Sequence, residues 1–243
     1  MSLLETDGVS VRYDGNVALD AVSVSMAPGE VTGLIGPNGA GKTTLFNCVT
    51  GMQPVRSGRV LFDGKDVTRL GAGRRARLGM ARTFQRLELF LSMSVRDNVR
   101  VAGDIVRANT RTRLDVRAET ERVLAITGLS DIADREVAAI PTGRARVVEV
   151  ARALMTRPRL LLLDEPAAGQ TEEESERFAT LLENVASDGV AVCLVEHDLP
   201  LVMGLCSTIH VLDHGVLIAS GTPAEVRESP AVIEAYIGTE TPA

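Results

Sequence analysis

Val31-Thr32-Gly33-Leu34-Ile35-Gly36-Pro37-Asn38-Gly39-Ala40-Gly41-Lys42-Thr43-Thr44 is the stretch that decides the fold. Val31 to Ile35 reads as a buried strand, and the apolar periodicity from Lys42 to Val49, closed by Gly51, reads as a helix. Between them, Gly36-x-x-x-x-Gly41-Lys42-Thr43 matches the phosphate-binding loop, whose backbone N–H groups surround phosphate oxygens at a helix N-terminus. In such a loop Lys42 reaches the β/γ-phosphates and Thr43 offers a hydroxyl to Mg²⁺. A Cβ at the glycines would block the backbone's approach. An ordinary glycine turn is the plainer alternative, but it does not account for the strand before and the helix after. Gly36, Pro37, Asn38, Gly39, Ala40, Gly41, Lys42, Thr43 and Thr44 are therefore expected to hold a nucleotide.

Moving outward, Leu160-Leu161-Leu162-Leu163-Asp164-Glu165-Pro166 reads as a second buried strand that delivers two carboxylates at its C-terminal end, where ligands of open α/β sheets bind. Asp164 is expected to hold Mg²⁺ through its water shell, and Glu165 to polarise the water that attacks a γ-phosphate. Val9 to Tyr13 and Val22 to Met26 alternate around a turn at Asp14-Gly15, which predicts an antiparallel β region. Val60 to Phe62 and Lys65 to Val67 form a hairpin over Asp63-Gly64. From about Ser94 to Thr156 the periodicity is helical, which predicts an inserted helical lobe. A helix opening at Thr171-Glu172-Glu173-Glu174, a strand from Val190 to Val195 and a short helix from Leu199 follow. The tail carries a hairpin at Asp213-His214-Gly215 and two helices opened by Thr222-Pro223 and Ser229-Pro230, the last ended by Gly238. Strands alternating with helices imply a parallel sheet.

Composition agrees with one sizeable globular unit. The 243 residues are 45% hydrophobic and 24% charged, and no repeat or long linker divides them. The net charge of −6 has the wrong sign for a chain that coats nucleic acid, so no nucleic-acid partner is expected. Cys48, Cys193 and Cys206 lack CxxC spacing and sit in apolar stretches, which suits a reducing cytosol. MSLLETDGVS has no secretory pattern, and the apolar runs are too short to cross a bilayer, so any membrane role is expected to be peripheral.

Together these residues resemble the ATP-binding cassette (ABC) ATPases over nearly the whole chain. Tyr13 stands where that family has an aromatic residue, and Ala81-Arg82-Thr83-Phe84-Gln85 where it has its glutamine motif. Ile140-Pro141-Thr142-Gly143-Arg144 holds the signature position, and Leu194-Val195-Glu196-His197-Asp198 holds the switch histidine. The spacings from Lys42 to Gln85 and from Gly143 to Asp164 are those of one compact cassette. Met80 to Gln85, Asp164 to Gly169, Glu196-His197-Asp198 and Val232 to Gly238 look most like ATPase subunits of branched-chain amino acid importers.

The resemblance implies an α/β fold, with a RecA-like parallel-sheet core, an N-terminal antiparallel β subdomain and an inserted helical lobe. It divides the single domain 1–243 into a catalytic core, 1–88 and 157–243, and a signature lobe, 89–156. It implies that Tyr13 stacks on adenine, Gln85 links the Mg²⁺ site to membrane subunits and His197 contacts the γ-phosphate. Plainer readings exist: a strand aromatic, a surface amide and a helix-initiating polar residue. Glu165, His197 and Gln85 are then catalytic, and Thr43, Gln85 and Asp164 serve the metal. Thr142, Gly143 and Arg144 contact a second cassette's ATP.

ATP and Mg²⁺ are the implied cofactors. The implied partners are a second ABC ATPase subunit, two membrane permease subunits and an extracytoplasmic solute-binding protein, with the chain on the cytoplasmic face of the membrane. Only Gly143 of the signature is standard, because Pro141 lacks a hydroxyl and Arg144 brings a guanidinium. Gln170-Thr171 replaces the usual seam pair. A lipid-export ATPase and a weakly catalytic nucleotide sensor are alternative readings. Arg69, Arg74, Arg75, Arg77, Arg82 and Arg86 form a basic run that reads either as a solvated face or as an edge toward anionic lipid or permease loops.

Overall fold

The computed structural model describes residues 2–13, 15–109 and 114–237. Asp14 of the first turn and the expected terminator Gly238 lie outside them.

The chain opens with three antiparallel strands, β1 (Leu4–Tyr13), β2 (Asn16–Val22) and β3 (Ser25–Met26). The expected partner strand Val22 to Met26 is corrected here. The strand that returns from the turn is β2, in register Tyr13↔Asn16, and β3 pairs separately with β1 at Leu4↔Met26. Two register shifts in the β1–β2 ladder bend the ribbon, so the alternation read over 22–26 belongs to a later, shorter segment. With β5 (Ser57–Phe62) and β6 (Lys65–Asp66) these strands form a sheet of order β2-β1-β5-β6.

The second sheet carries the site. Between β4 (Val31–Ile35) and β7 (Met80–Arg82) come α1 (Lys42–Thr50) and α2 (Ala72–Arg77). Neither α2 nor β7 is legible in the sequence. The helical stretch follows as α3 (Val95–Asn109), α4 (Val116–Ile126) and α5 (Thr142–Leu154), with only the isolated bridge Ser94↔Glu136 as β structure among its described residues. Next come β8 (Leu160–Asp164), α6 (Glu172–Ser187), β9 (Ala191–Val195), α7 (Leu199–Leu205), β10 (Thr208–Asp213), β11 (Val216–Gly221), α8 (Pro223–Glu228) and α9 (Pro230–Ile237).

The strand order is β11-β10-β4-β9-β8-β7, parallel from β10 to β7, with β11 antiparallel at the edge. Parallel strands covered on both faces need apolar residues at every position. The four leucines of β8 meet that need: Leu160 and Leu162 enter the core under α1 and the first sheet, while Leu161 and Leu163 enter the core shared with α5 and α6. All four are fully buried.

The basic run divides. Arg69, Arg74, Arg77 and Arg86 are exposed, but Arg75 is buried, with its guanidinium donating to the carbonyls of Cys48, Val49, Leu70 and Thr68. Arg75 thus satisfies acceptors at the C-terminal end of α1 that have no intrahelical partner, and it takes no part in a basic surface. Arg82 also turns inward.

Candidate functional site

The loop from Gly36 to Gly41 leaves β4 at its carboxyl end and enters α1, and its glycines are needed where the chain is crowded. Gly36 has φ +146, and a Cβ there would stand 2.0 Å from the Leu212 carbonyl oxygen. Gly41 has φ +102 and the Ala18 carbonyl 2.7 Å from the same position. No side chain caps α1 at Gly41, so its first amides keep their donors for a ligand. The loop encloses a cavity of about 300 Å³ lined by Ala18, Asn38 to Thr44, Gln85, Glu165, Val195 and His197. Lys42 is buried and folds back, Nζ donating to the carbonyls of Gly36 at 2.6 Å and Pro37 at 2.9 Å. Burial lowers its pKa, opposed by the charges of Glu165 and Asp164.

Across the cavity, β8 and β9 end together at the pair Asp164↔Val195. Glu165 follows in the left-handed region, φ +49, its N–H bound to the Val195 carbonyl at 2.9 Å. That turn of the backbone presents its carboxylate to two groups. Gln85 Nε2 donates to Oε2 at 3.0 Å, and His197 Nε2 lies 3.1 Å from Oε1. The expected trio Glu165, Gln85 and His197 is therefore brought together at the cavity wall.

Asp164 sits apart from that wall. It is buried, and its Oδ2 accepts from Arg82 Nη2 at 2.9 Å. Arg82 also donates to Asn47 Oδ1 at 2.5 Å and stacks between Phe46 and Phe84, at 5.5 and 5.1 Å from the ring centroids. Neither Arg82 nor Asn47 was singled out by the sequence as a site residue. Their link follows from register, since Arg82 pairs with Leu162 and Asp164 lies two residues further on the same face.

Glu196 was missed as well. Its side chain is buried, with Oε1 accepting from the Ala167 N–H at 2.7 Å and Oε2 from the His197 N–H at 3.1 Å. Burial raises its pKa against the pull of these two bonds. An acidic residue next to a switch histidine at a strand end was the only signal available.

Tyr13, at the end of β1, is 43% exposed and is not among the cavity-lining residues. Thr142, Gly143 and Arg144 are also absent from that lining. They open α5 beside the N-terminus of α6, where a Cβ on Gly143 would stand 2.9 Å from Glu174 Oε2. Arg144 turns within the chain, donating to Asp131 Oδ1 at 2.5 Å and to the Gly128 carbonyl at 2.9 Å. Further along α5, Arg146 donates to the carbonyls of Gln85 at 2.7 Å and Phe84 at 3.2 Å. Glu149 accepts from the Glu88 N–H at 2.8 Å, and Arg152 donates to the Glu88 carbonyl. One face of α5 thus holds the backbone around Gln85.

Known proteins resemble this chain in sequence and in fold. A family model described as ABC transporter matches residues 19–168, and one described as branched-chain amino acid ATP-binding cassette transporter matches 216–241. The chain is 37% identical to the high-affinity branched-chain amino acid transport ATP-binding protein BraF of Pseudomonas aeruginosa, over 97% of this chain and 98% of that one. It is 36% identical to LivG of Escherichia coli K12, a protein of the same description, over the same shares. Among solved structures, a nucleotide-free ATP-binding cassette from an ABC transporter superposes with a TM-score of 0.87 at 29% identity, covering 98% of this chain and 100% of that one. The ADP conformation of MJ1267, an ATP-binding cassette of an ABC transporter, also gives 0.87, at 30% identity and covering 98% and 99%. A phosphate cradle at the strand ends, a carboxylate held between an amide and an imidazole, and these likenesses agree: the chain belongs to the ABC transporter family, as an ATP-binding cassette with ATPase activity.

Proposed function

We propose that this cassette is the ATP-hydrolysing subunit of an importer for branched-chain or other hydrophobic amino acids, with Glu165 as the base that activates water. The observation that carries the chemical part is the meeting of Glu165 with Gln85 and His197 at the wall of the Asn38–Thr44 cradle. The cargo rests on the relatives' names and on the match of residues 216–241.

The loop amides and the α1 N-terminus bind the phosphates. Lys42 exchanges its two loop carbonyls for phosphate oxygens, and Tyr13 takes the adenine. Thr43 and Gln85 at the cavity wall would offer hard oxygen donors of the kind that suits Mg²⁺, and Asp164, whose Oδ2 is bound to Arg82, would act through the water shell that Mg²⁺ usually keeps. When bound, Mg²⁺ neutralises charge that develops on the phosphates. Glu165 takes the proton of the attacking water, while Gln85 and His197 hold its carboxylate toward the cradle.

Among the described residues no helix is long and apolar enough to cross a membrane. In the proposed importer the transport path lies in separate membrane subunits. We assign residues 89–156 to the lobe that carries the signature, and the rest to the catalytic core. A cavity of about 830 Å³ lies between β7, α3 and α5, with Leu78 and Ile105 exposed at its rim and Arg77 in its wall. It is the place for a membrane subunit, with two such subunits, a second cassette and an outer solute-binding protein completing the importer at the inner face of the membrane.

Co-expression with membrane subunits of a branched-chain amino acid importer and reconstitution in vesicles tests the reading. ATP-dependent uptake of labelled leucine is expected. Steady ATPase activity with no uptake of any branched-chain amino acid would transfer the motor to another cargo.

A further inference from the structure

We propose that Glu196 is a positioning residue of the hydrolytic site, fixing Glu165 and His197 relative to one another through the backbone amides of Ala167 and His197. The inference rests on the ATPase reading with Glu165 as base. The ladder between β8 and β9 ends at Asp164↔Val195, yet both reacting side chains lie beyond it, on segments that no strand pairing holds. Beyond the ladder the links are few. The Glu165 N–H is bound to the Val195 carbonyl, the His197 imidazole reaches Glu165 Oε1, and the two oxygens of Glu196 hold the Ala167 and His197 amides.

The contacts close a ring from Glu165 through Ala167, Glu196 and His197 back to Glu165. Opening it at Glu196 removes the bonds to both amides at once and leaves Glu165 and His197 held by the Val195 carbonyl, Gln85 and their own mutual contact. A carboxylate suits this place because each oxygen accepts without a competing donor. Gln has the same shape but one acceptor, so one of the two amides would face an NH₂ group. Neither amide belongs to the loop or to the α1 N-terminus proposed to bind phosphate, so nucleotide affinity is expected to change little.

The experiment uses the full chain and compares wild type, Glu196→Gln and Glu165→Gln in ATPase kinetics, equilibrium binding of a fluorescent ADP, and amide hydrogen exchange. For Glu196→Gln the expected result is a kcat lower by about tenfold or more, with KM and ADP affinity within about twofold of wild type. Faster exchange should be confined to the Ala167 and His197 amides. Should that variant fail to fold, Glu196→Asp, whose carboxylate is withdrawn by one methylene, carries the same comparison. Wild-type kcat in a folded variant overturns the proposal. So does a loss of affinity with exchange accelerated throughout the core, which marks a merely structural role. Equal turnover in wild type and Glu165→Gln would instead overturn the underlying assignment of the base, and this inference with it.

Discussion

At the scale of single residues, binding and turnover rest on different side chains, and substitution should separate them. Glu165→Gln preserves shape but cannot take a proton from water, so hydrolysis is expected to fall about 100-fold or more while nucleotide still binds. Unchanged turnover would remove Glu165 from its role. Lys42→Ala removes the ammonium that faces the phosphates, and an ATP-analogue titration should show affinity lower by about tenfold or more. Normal affinity there would contradict the cradle. His210 offers a test by pH. It is buried between Ser220 Oγ at 2.9 Å and the Ser25 carbonyl at 3.0 Å, and burial lowers its pKa. The unfolded chain therefore binds this proton more readily than the folded one. Its contribution is complete above the ordinary histidine value of about 6.5 and is lost as pH falls below it. Denaturant unfolding from pH 7.5 to 5 should show a shallower decline in His210→Gln than in wild type, and parallel declines would exclude the histidine as the cause. Lys42 and Glu165 were legible in the phosphate-loop pattern and at the end of an apolar strand, whereas Gln85 and His197 entered only through the resemblance to ABC ATPases. Arg82, Asn47 and Glu196 were not legible, because their partners come from other elements and depend on sheet register.

At the scale of elements, legibility followed length and independence from neighbours. β9 and, up to Asp164, β8 are continuous apolar runs, β4 is marked by the glycine loop that follows it, and α6 announces itself by its capping box: Thr171 Oγ1 accepts from the Glu174 N–H and Glu174 Oε2 from the Thr171 N–H. By contrast, α2 is six residues with three arginines and no apolar stripe, and β7 is three residues that form a strand by pairing with β8. Such elements exist because tertiary contacts hold them, so local periodicity carries no sign of them. The cap of α6 also touches the signature, because Glu174 Oε2 occupies the space that a Cβ on Gly143 would enter. Gly143→Ala should therefore shift the Glu174 carboxylate from its cap, a loss of about 1 kcal/mol that the better helix propensity of Ala partly offsets. In a Glu174→Ala background, where the cap is already gone, the same substitution should cost markedly less. Additive losses in that double-mutant cycle would show that the strain lies elsewhere.

At the scale of the whole molecule, the residues proposed to face the chain's own nucleotide are those the resemblance implies, while the signature segment departs from it. Pro141 leaves α5 without a side-chain cap, and Arg144 is engaged with Asp131 and Gly128. On the proposed pairing with a second cassette an isolated chain holds half of each composite site, so its ATPase should be weak and rise with protein concentration. Fast turnover independent of concentration would count against a head-to-tail dimer. When the cassette pairs with a different one, its own ATP meets the partner's signature, while the partner's ATP meets Thr142, Gly143 and a guanidinium turned back into the lobe. One strong and one weak site should result. The rival arrangement frees Arg144 from Asp131 to bond the partner's phosphate, a charge-assisted contact that would keep both sites competent. Placing Glu165→Gln in this chain, and the matching change in the other cassette, separates the two. The asymmetric arrangement requires the first variant to lose most turnover and the second to keep most of it. Arg144→Gln should then raise the residual activity of the first variant, whereas in the rival arrangement it would lower it. Equal residual rates from the two Glu→Gln variants would sink the asymmetric dimer.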